Sequence, residues 1–258
     1  MLRLVLWIFA ATCALVIVVI VVRKGQLEGE PTTPQQAVAV SPAATQVRSS
    51  ATVTGFVAIL GTAPAEPSNP AAAFSECKVA DVGDRHKAYR IRDGKVANAF
   101  VYIKEGLAGS YPAPSEPTVL DQQGCAYMPR VLGLQLGQPL MVMNSDSMLH
   151  NVHALPKSGA GFNVGMPMKG MKVTRTLDKP EVMVMVKCDI HGWMRAYVGV
   201  LPHPFFAVSG ADGAFSIPNV PPGTYTLEAW HEKLGTLTQY VSIAGSETKS
   251  VIFTYAKI

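Results

Sequence analysis

The sequence has few charged residues and no run of basic ones. Asp, Glu, Lys and Arg together make up 16% of the 258 residues, and the formal net charge is only +4. It contains no lysine- or arginine-rich segment and no motif of the stacking type that nucleic-acid-binding modules use. A nucleic-acid partner is therefore not expected.

The sequence also lacks the signatures of common enzyme classes. It has no Ser-His-Asp order, no paired-carboxylate motif and no phosphate-binding loop. We therefore expect a protein that is not an enzyme.

Cysteine is scarce, with four in the chain. Cys13 lies within an apolar N-terminal stretch and is interpreted as a small apolar helix residue. Cys188 belongs to a motif described below. The remaining two, Cys77 and Cys125, are a plausible disulfide, which would place the protein in an oxidising compartment such as a periplasm. The alternative is two unrelated buried thiols, because connectivity cannot be read from sequence.

The N-terminal stretch predicts a membrane anchor. Residues 4–22 carry no charge and are flanked by Arg3 and by Arg23-Lys24, and about 20 apolar residues suffice to cross a bilayer as a helix. The stretch ends without a small-residue cleavage site, which favours an uncleaved anchor over a removed signal. We expect residues 1–24 to form a single transmembrane helix.

The rest of the chain is predicted to form a linker followed by short strands. Residues 25–50 are rich in Pro, Gln, Ala, Ser and Thr, which is typical of a flexible linker. Beyond them, short apolar segments such as 53–59, 96–103 and 139–143 are separated by turn residues, with no long amphipathic helix. This pattern predicts an all-β sandwich.

One segment, residues 187–194 (KCDIHGWM), carries three candidate metal ligands. Cys188, His191 and Met194 follow one another at intervals of three and directly follow an apolar strand-like run. Thiolate, imidazole and thioether groups suit copper. A mononuclear blue-copper centre needs a second histidine, and the upstream segment 144–153 supplies candidates.

This combination resembles the cupredoxins, most closely those of the amicyanin and plastocyanin type, over about residues 51–203. The resemblance implies a Greek-key sandwich and one mononuclear type 1 copper bound by four residues: His150, Cys188, His191 and Met194. It also implies that the backbone of Asn151 steadies the sulfur. Structural zinc, the main rival, prefers four Cys or His ligands.

A second histidine upstream, His153, competes with His150 for the ligand position. Residues three apart on a strand point to opposite faces, so only one of the two can face the ion. Because His150 is followed by the Asn-Val of the family pattern, we assign it as the ligand. His153 is then expected on the surface or behind the ligands.

The C-terminal residues 204–258 have a different character. Asp212-Gly213 and Pro222-Gly223 are hairpin turn signals between short apolar runs. The segment resembles the carboxypeptidase regulatory-like, prealbumin-type β-sandwich module. This resemblance implies a role in packing or docking, with no chemistry of its own.

Together these features predict a membrane-tethered electron carrier in the bacterial inner membrane, single-pass, with its body in the periplasm. Its partner would be a redox protein such as a cytochrome or a respiratory complex. Multicopper oxidases need further His-x-His clusters, and this chain has none. The alternative is a periplasmic copper-binding or delivery protein, or a structural binding protein, without redox turnover.

Overall fold

The computed structural model describes residues 49–61, 64–65, 71, 74–78 and 87–256. The predicted anchor and nearly all of the predicted linker lie outside these residues. Within the described part of the chain, no helix is long and apolar enough to span a membrane. All the described residues belong to one unit, which extends from Gln46 to Ile258.

The described residues form 18 strands and one short 3₁₀ helix, Ser75–Lys78, which confirms the all-β prediction. The strands are β1 (Ala51–Ile59), β2 (Ile91–Arg92), β3 (Lys95–Val96), β4 (Phe100–Glu105), β5 (Thr118–Gln122), β6 (Tyr127–Met128), β7 (Val131–Gln135), β8 (Leu140–Asn144), β9 (His150–Leu155), β10 (Phe162–Met166), β11 (Lys172–Arg175), β12 (Glu181–Lys187), β13 (Arg195–Leu201), β14 (Phe206–Val208), β15 (Ala214–Val220), β16 (Gly223–His231), β17 (Gly235–Ile243) and β18 (Thr248–Tyr255).

One predicted strand, over residues 96–103, is interrupted in the structure. β3 ends at Val96 and β4 begins at Phe100, and between them Asn98 has a φ of 61°. Asparagine adopts this left-handed conformation more readily than most residues, because its short polar side chain bonds locally. The apolar character of the segment therefore predicted burial correctly but not the turn within it.

Two sheets enclose the core that contains the predicted ligands. Their strand orders are β10-β9-β12-β13-β7 and β11-β8-β5-β6. Alternate residues of these strands point inward and form one buried cluster, which includes Leu120, Val142, Val152, Val186 and Val198. This alternation is what a strand buried on one face requires.

Two further sheets enclose a separate core. They have the orders β15-β1-β3-β2, with β18 also paired to β1, and β14-β4-β16-β17. Their inward side chains include Val53, Val101, Ile217, Leu227 and Phe253. The second core is thus built from strands at both ends of the described chain.

The strand pairing does not follow the sequence-based division into residues 51–203 and 204–258. β1 pairs with β15 in an antiparallel register and with β18 in a parallel one, and β4 pairs with β14 and β16. Residues 51–59 and 91–105 therefore lie in the sheets of the C-terminal strands. The alternating pattern of a strand predicts its buried face but not its distant partner.

The sheet with β9 and β12 at its centre brings two ligand-bearing segments together. The two strands are antiparallel, with Lys187 opposite His153 and Val186 opposite Ala154. Cys188 directly follows β12, and His150 is the first residue of β9. The end of β12 and the start of β9 therefore meet at one end of the sandwich.

Candidate metal centre

Three of the four predicted ligands converge at this end of the sandwich. Nδ1 of His150 lies 3.0 Å from Nδ1 of His191, and Sγ of Cys188 lies 3.8 Å from the same His191 nitrogen. The three donor atoms all lie within 4.8 Å of one another. Bonds of about 2.0 Å to nitrogen and about 2.3 Å to sulfur, as for zinc, would separate three donors in a plane by roughly 3.5 Å. One ion of this size therefore fits between them.

The fourth predicted ligand, Met194, lies in the same loop and the same buried cluster as Cys188. The backbone N–H of Met194 donates to the carbonyl of His191 at 2.8 Å, and the N–H of Cys188 donates to the carbonyl of Met194 at 3.2 Å. Both hydrogen bonds close the loop on itself. Cys188 and Met194 are each only 1% exposed, so the loop presents its sulfur atoms to the interior.

The environment of Cys188 favours the thiolate. Burial alone raises the pKa of this thiol, but hydrogen bonds from His150 and from the backbone N–H groups of Asn151, His191 and Ile190 outweigh it and lower the pKa below its usual value. The contribution of the Asn151 backbone to this pKa agrees with the role that the cupredoxin resemblance implies for it. The thiolate is the form of cysteine that can bind a metal ion.

The imidazole of His150 is fully buried, and its Nε2 lies 2.9 Å from Oδ2 of Asp146. Burial lowers the pKa of His150, but hydrogen bonds with Asp146 and Cys188 outweigh it and raise the pKa to about 9. A nitrogen that carries a proton cannot bind an ion, so an ion bound through Nδ1 would displace a proton. Nε2 is already engaged with Asp146, and Nδ1 is the nitrogen that faces the other donors.

The second imidazole, His191, is less buried than His150 and reaches towards the surface. Burial, and then the positive charge of His150, lower the pKa of His191. The neutral ring is the form that coordinates metals. The two histidines therefore differ in environment, one enclosed and the other at the edge.

His153 points away from these donors. Its Nδ1 lies 3.0 Å from Oδ2 of Asp189, and its side chain is 26% exposed. Asp189 also accepts hydrogen bonds from the side chains of Asn163 and Lys187. His153 thus belongs to a polar cluster on the outer face, as the alternation along β9 predicts.

Two residues of the site have little or no local sequence signal. The hydroxyl of Tyr127 contacts two backbone carbonyls, those of Asn151 at 2.6 Å and Lys187 at 3.0 Å, and so ties β9 to β12 beside the ligands. Burial raises the pKa of this phenol and keeps it protonated as a donor. The other residue is Asp146, whose spacing of four residues from His150 gives only a weak hint of their contact.

The predicted disulfide between Cys77 and Cys125 is confirmed, with an S–S distance of 2.02 Å. Its sulfur atoms and a ring nitrogen of His191 lie within 4.8 Å of one another. The indole N–H of Trp193 donates to the carbonyl of Cys125 at 3.0 Å. The disulfide therefore packs directly against the ligand loop.

A family model described as polysaccharide lyase family 4, domain II, matches residues 205–251. This match concerns the C-terminal strands only, and its description differs from the prealbumin-type module expected there, which stays a prediction. No curated protein matches the chain.

Several solved structures are similar to part of the chain. A copper-containing nitrite reductase from Thermus scotoductus has 19% identity and a TM-score of 0.32, over 36% of this chain and 24% of the reductase. A purple cupredoxin from Nitrosopumilus maritimus has 23% identity and a TM-score of 0.26, over 29% and 81%. An oxidized amicyanin variant has 23% identity and a TM-score of 0.30, over 39% and 97%. The chain thus spans about a quarter of the nitrite reductase that it matches.

Proposed function

We propose that this chain is an electron-transfer protein with one mononuclear type 1 copper centre bound by His150, Cys188, His191 and Met194. The observation that carries the proposal is the convergence of two imidazole nitrogens and one thiolate sulfur within 4.8 Å. Two histidines and a cysteine with a weak methionine donor make up the ligand set of a blue-copper centre. When bound there, copper would supply reversible one-electron chemistry. A structural zinc site is a poorer fit, because it prefers four Cys or His ligands.

The protein's contribution would be to hold the donors in place. His150 and Cys188 are fixed by two neighbouring strands, β9 and β12. The hydroxyl of Tyr127 contacts a backbone carbonyl on each of these strands beside the two ligands. The loop carrying His191 and Met194 closes through its own backbone hydrogen bonds. Because each donor is held by the surrounding structure, the site needs little rearrangement on electron exchange.

Exposed apolar residues next to two of the ligands support a protein partner. Leu149, which precedes His150, is 48% exposed, and Ile190, which precedes His191, is 50% exposed. Exposed apolar groups beside a functional site are typical of docking surfaces. We place the electron exit at the half-buried ring of His191, facing a redox partner such as a cytochrome or a respiratory complex.

The direct test is copper titration of the metal-free protein. We expect one equivalent of cupric ion to produce an intense visible thiolate-to-copper band, which disappears on reduction and returns on reoxidation. The alternative is copper delivery or structural binding without redox turnover. Weak colour, rapid loss of copper to a chelator and irreversible reduction would favour that alternative over the carrier.

Replacing Met194 with leucine tests the fourth ligand. Met194→Leu should retain copper and raise the reduction potential, because loss of a weak axial donor disfavours the cupric state. A tenfold change in relative affinity for the two oxidation states corresponds to about 59 mV in a one-electron couple, and we expect an increase of this order. Cyclic voltammetry measures it, and an unchanged potential would show that Met194 is not a ligand.

Membrane attachment through residues 1–24, with the body in a periplasm, is part of the proposal. Its support is the uncharged run of residues 4–22 and the chemistry of the body, whose disulfide fits an oxidising compartment. We expect proteolysis between Lys24 and Ser50 to release the body from membranes. If the body is soluble without cleavage and starts beyond Val22, the segment is instead a removed signal.

A further inference from the structure

The carboxylate of Asp146 connects a predicted ligand to a loop that contributes no ligand. The residue is only 6% exposed. Oδ2 of Asp146 lies 2.9 Å from Nε2 of His150 and accepts the backbone N–H of Cys125 at 2.9 Å, while Oδ1 accepts the N–H of Gly124 at 2.8 Å. One buried carboxylate therefore bonds the imidazole on one side and two successive amides on the other.

The two amides form an anion-binding loop. Gly124 has a φ of 61° and Cys125 a φ of 53°, so two consecutive residues adopt the left-handed conformation. Successive N–H groups in such turns point towards one anion. A left-handed conformation is uncommon for a residue with a side chain, and Cys125 is held in it beside its disulfide bond with Cys77. The anion that this loop binds is the Asp146 side chain.

The contact between Asp146 and Nε2 of His150 determines which nitrogen of His150 faces the other donors. With Nε2–H donating to a carboxylate, the lone pair of Nδ1 is left to face Cys188 and His191 once its proton is displaced. A carboxylate on the outer nitrogen of a metal-bound histidine fixes the orientation of the ring and strengthens it as a donor. A stronger donor favours the cupric over the cuprous state.

We propose that Asp146 is the positioning residue of His150 and that the disulfide-closed loop at Gly124 and Cys125 holds Asp146 in place. The inference rests on the proposed copper function. The donor strength of His150 would then depend on the disulfide bond, which lies outside the ligand set.

The test is Asp146→Asn, with Asp121→Asn as the matched control. The hydroxyl of Ser145, the residue before Asp146, donates to Oδ2 of Asp121 at 2.8 Å. Asp121 lies on β5, so the control removes one carboxylate charge next to the same turn without touching His150. We expect Asp146→Asn to keep the thiolate band but to weaken cupric binding 10- to 100-fold. A tenfold loss of preference for the cupric state would raise the potential by about 59 mV. Equal affinities and potentials in both variants would overturn the proposal.

A measurement on the metal-free protein separates this proposal from the function itself. Nitrogen-15 NMR of the His150 ring should show an Nε2–H protected from exchange in the wild type and in Asp121→Asn, and lost protection in Asp146→Asn. If the wild type binds no copper but this pattern holds, the copper function fails while the positioning role stands. Protection that is unchanged in Asp146→Asn overturns the positioning role whatever the metal does.

The role of the disulfide is tested by the double variant Cys77→Ala with Cys125→Ala, which removes the bond without adding a free thiol to that of Cys188. We expect the His150 Nε2–H to exchange at least tenfold faster than in the wild type, because the loop that holds Asp146 is no longer closed. Wild-type exchange in a folded double variant would show that the loop holds the carboxylate without its covalent link, and would overturn that half of the proposal.

Discussion

Cys188→Ser is expected to abolish the visible copper band while the protein stays folded. The thiolate is the group that supplies charge transfer to cupric ion, and a serine hydroxyl is not ionised at neutral pH. Cys188 is 1% exposed and directly follows β12, so the smaller serine causes only a local change. The loss of copper affinity should exceed the roughly 10- to 100-fold effect of changes outside the ligand set.

Absorption spectroscopy during copper titration measures the band, and circular dichroism with thermal unfolding checks the fold. Cys13→Ser is the matched control, because Cys13 belongs to the predicted anchor; its band should equal that of the wild type. The folded state should survive because the core around Leu120, Val142 and Val186 is formed by apolar side chains packed between the two sheets. A near-normal band in Cys188→Ser would remove the basis of the copper assignment.

The sequence predicted the ligand loop because its information is local. Cys188, His191 and Met194 lie within one short loop, and a loop of that length cannot place them far apart. Two-residue alternation along β9 then required that only one of His150 and His153 face this loop, and the Asn-Val that follows His150 selected it. Neither step required knowledge of how distant strands pair.

The support behind the ligands could not be predicted in the same way. Asp146 meets Gly124 and Cys125 only because β5 and β8 pair in parallel, which places the chain after each strand side by side. Tyr127, on β6 of one sheet, reaches the carbonyl groups of Asn151 and Lys187, which lie on β9 and β12 of the other sheet. Such contacts follow from strand order and register, which local patterns do not encode.

The same limit explains the division of the chain. The alternation of Val53, Val57 and Ile59 predicted a strand with one buried face, and β1 has that face. The pattern does not specify which core the face covers. In the structure, β1 lies between β15 and β18, near the other end of the chain, so nearness in sequence to the ligand strands was a poor guide.

The histidine pair gives the second large effect: His150→Ala should lose the blue copper site, and His153→Ala should keep it. His150 is fully buried, and its Nδ1 lies 3.0 Å from that of His191. Alanine at this position removes one of three strong donors and leaves the Asp146 carboxylate without its histidine partner. We expect the thiolate band to disappear and cupric affinity to fall by more than the roughly 100-fold upper value for changes behind the ligands.

His153→Ala is the matched control, because it removes the same ring from the same strand on its opposite face. His153 contacts Asp189, which keeps its hydrogen bonds from Asn151, Asn163 and Lys187. The loop should therefore hold its shape, with an unchanged band and cupric affinity within about threefold of the wild type. For His153 to face the ion and His150 to face solvent, β9 would have to shift by one residue in its pairing. That shift would turn Val152 and Ala154 out of the core. Loss of the copper band in His153→Ala, with its retention in His150→Ala, would show that β9 has this shifted register. The copper site would then have His153 as its upstream ligand.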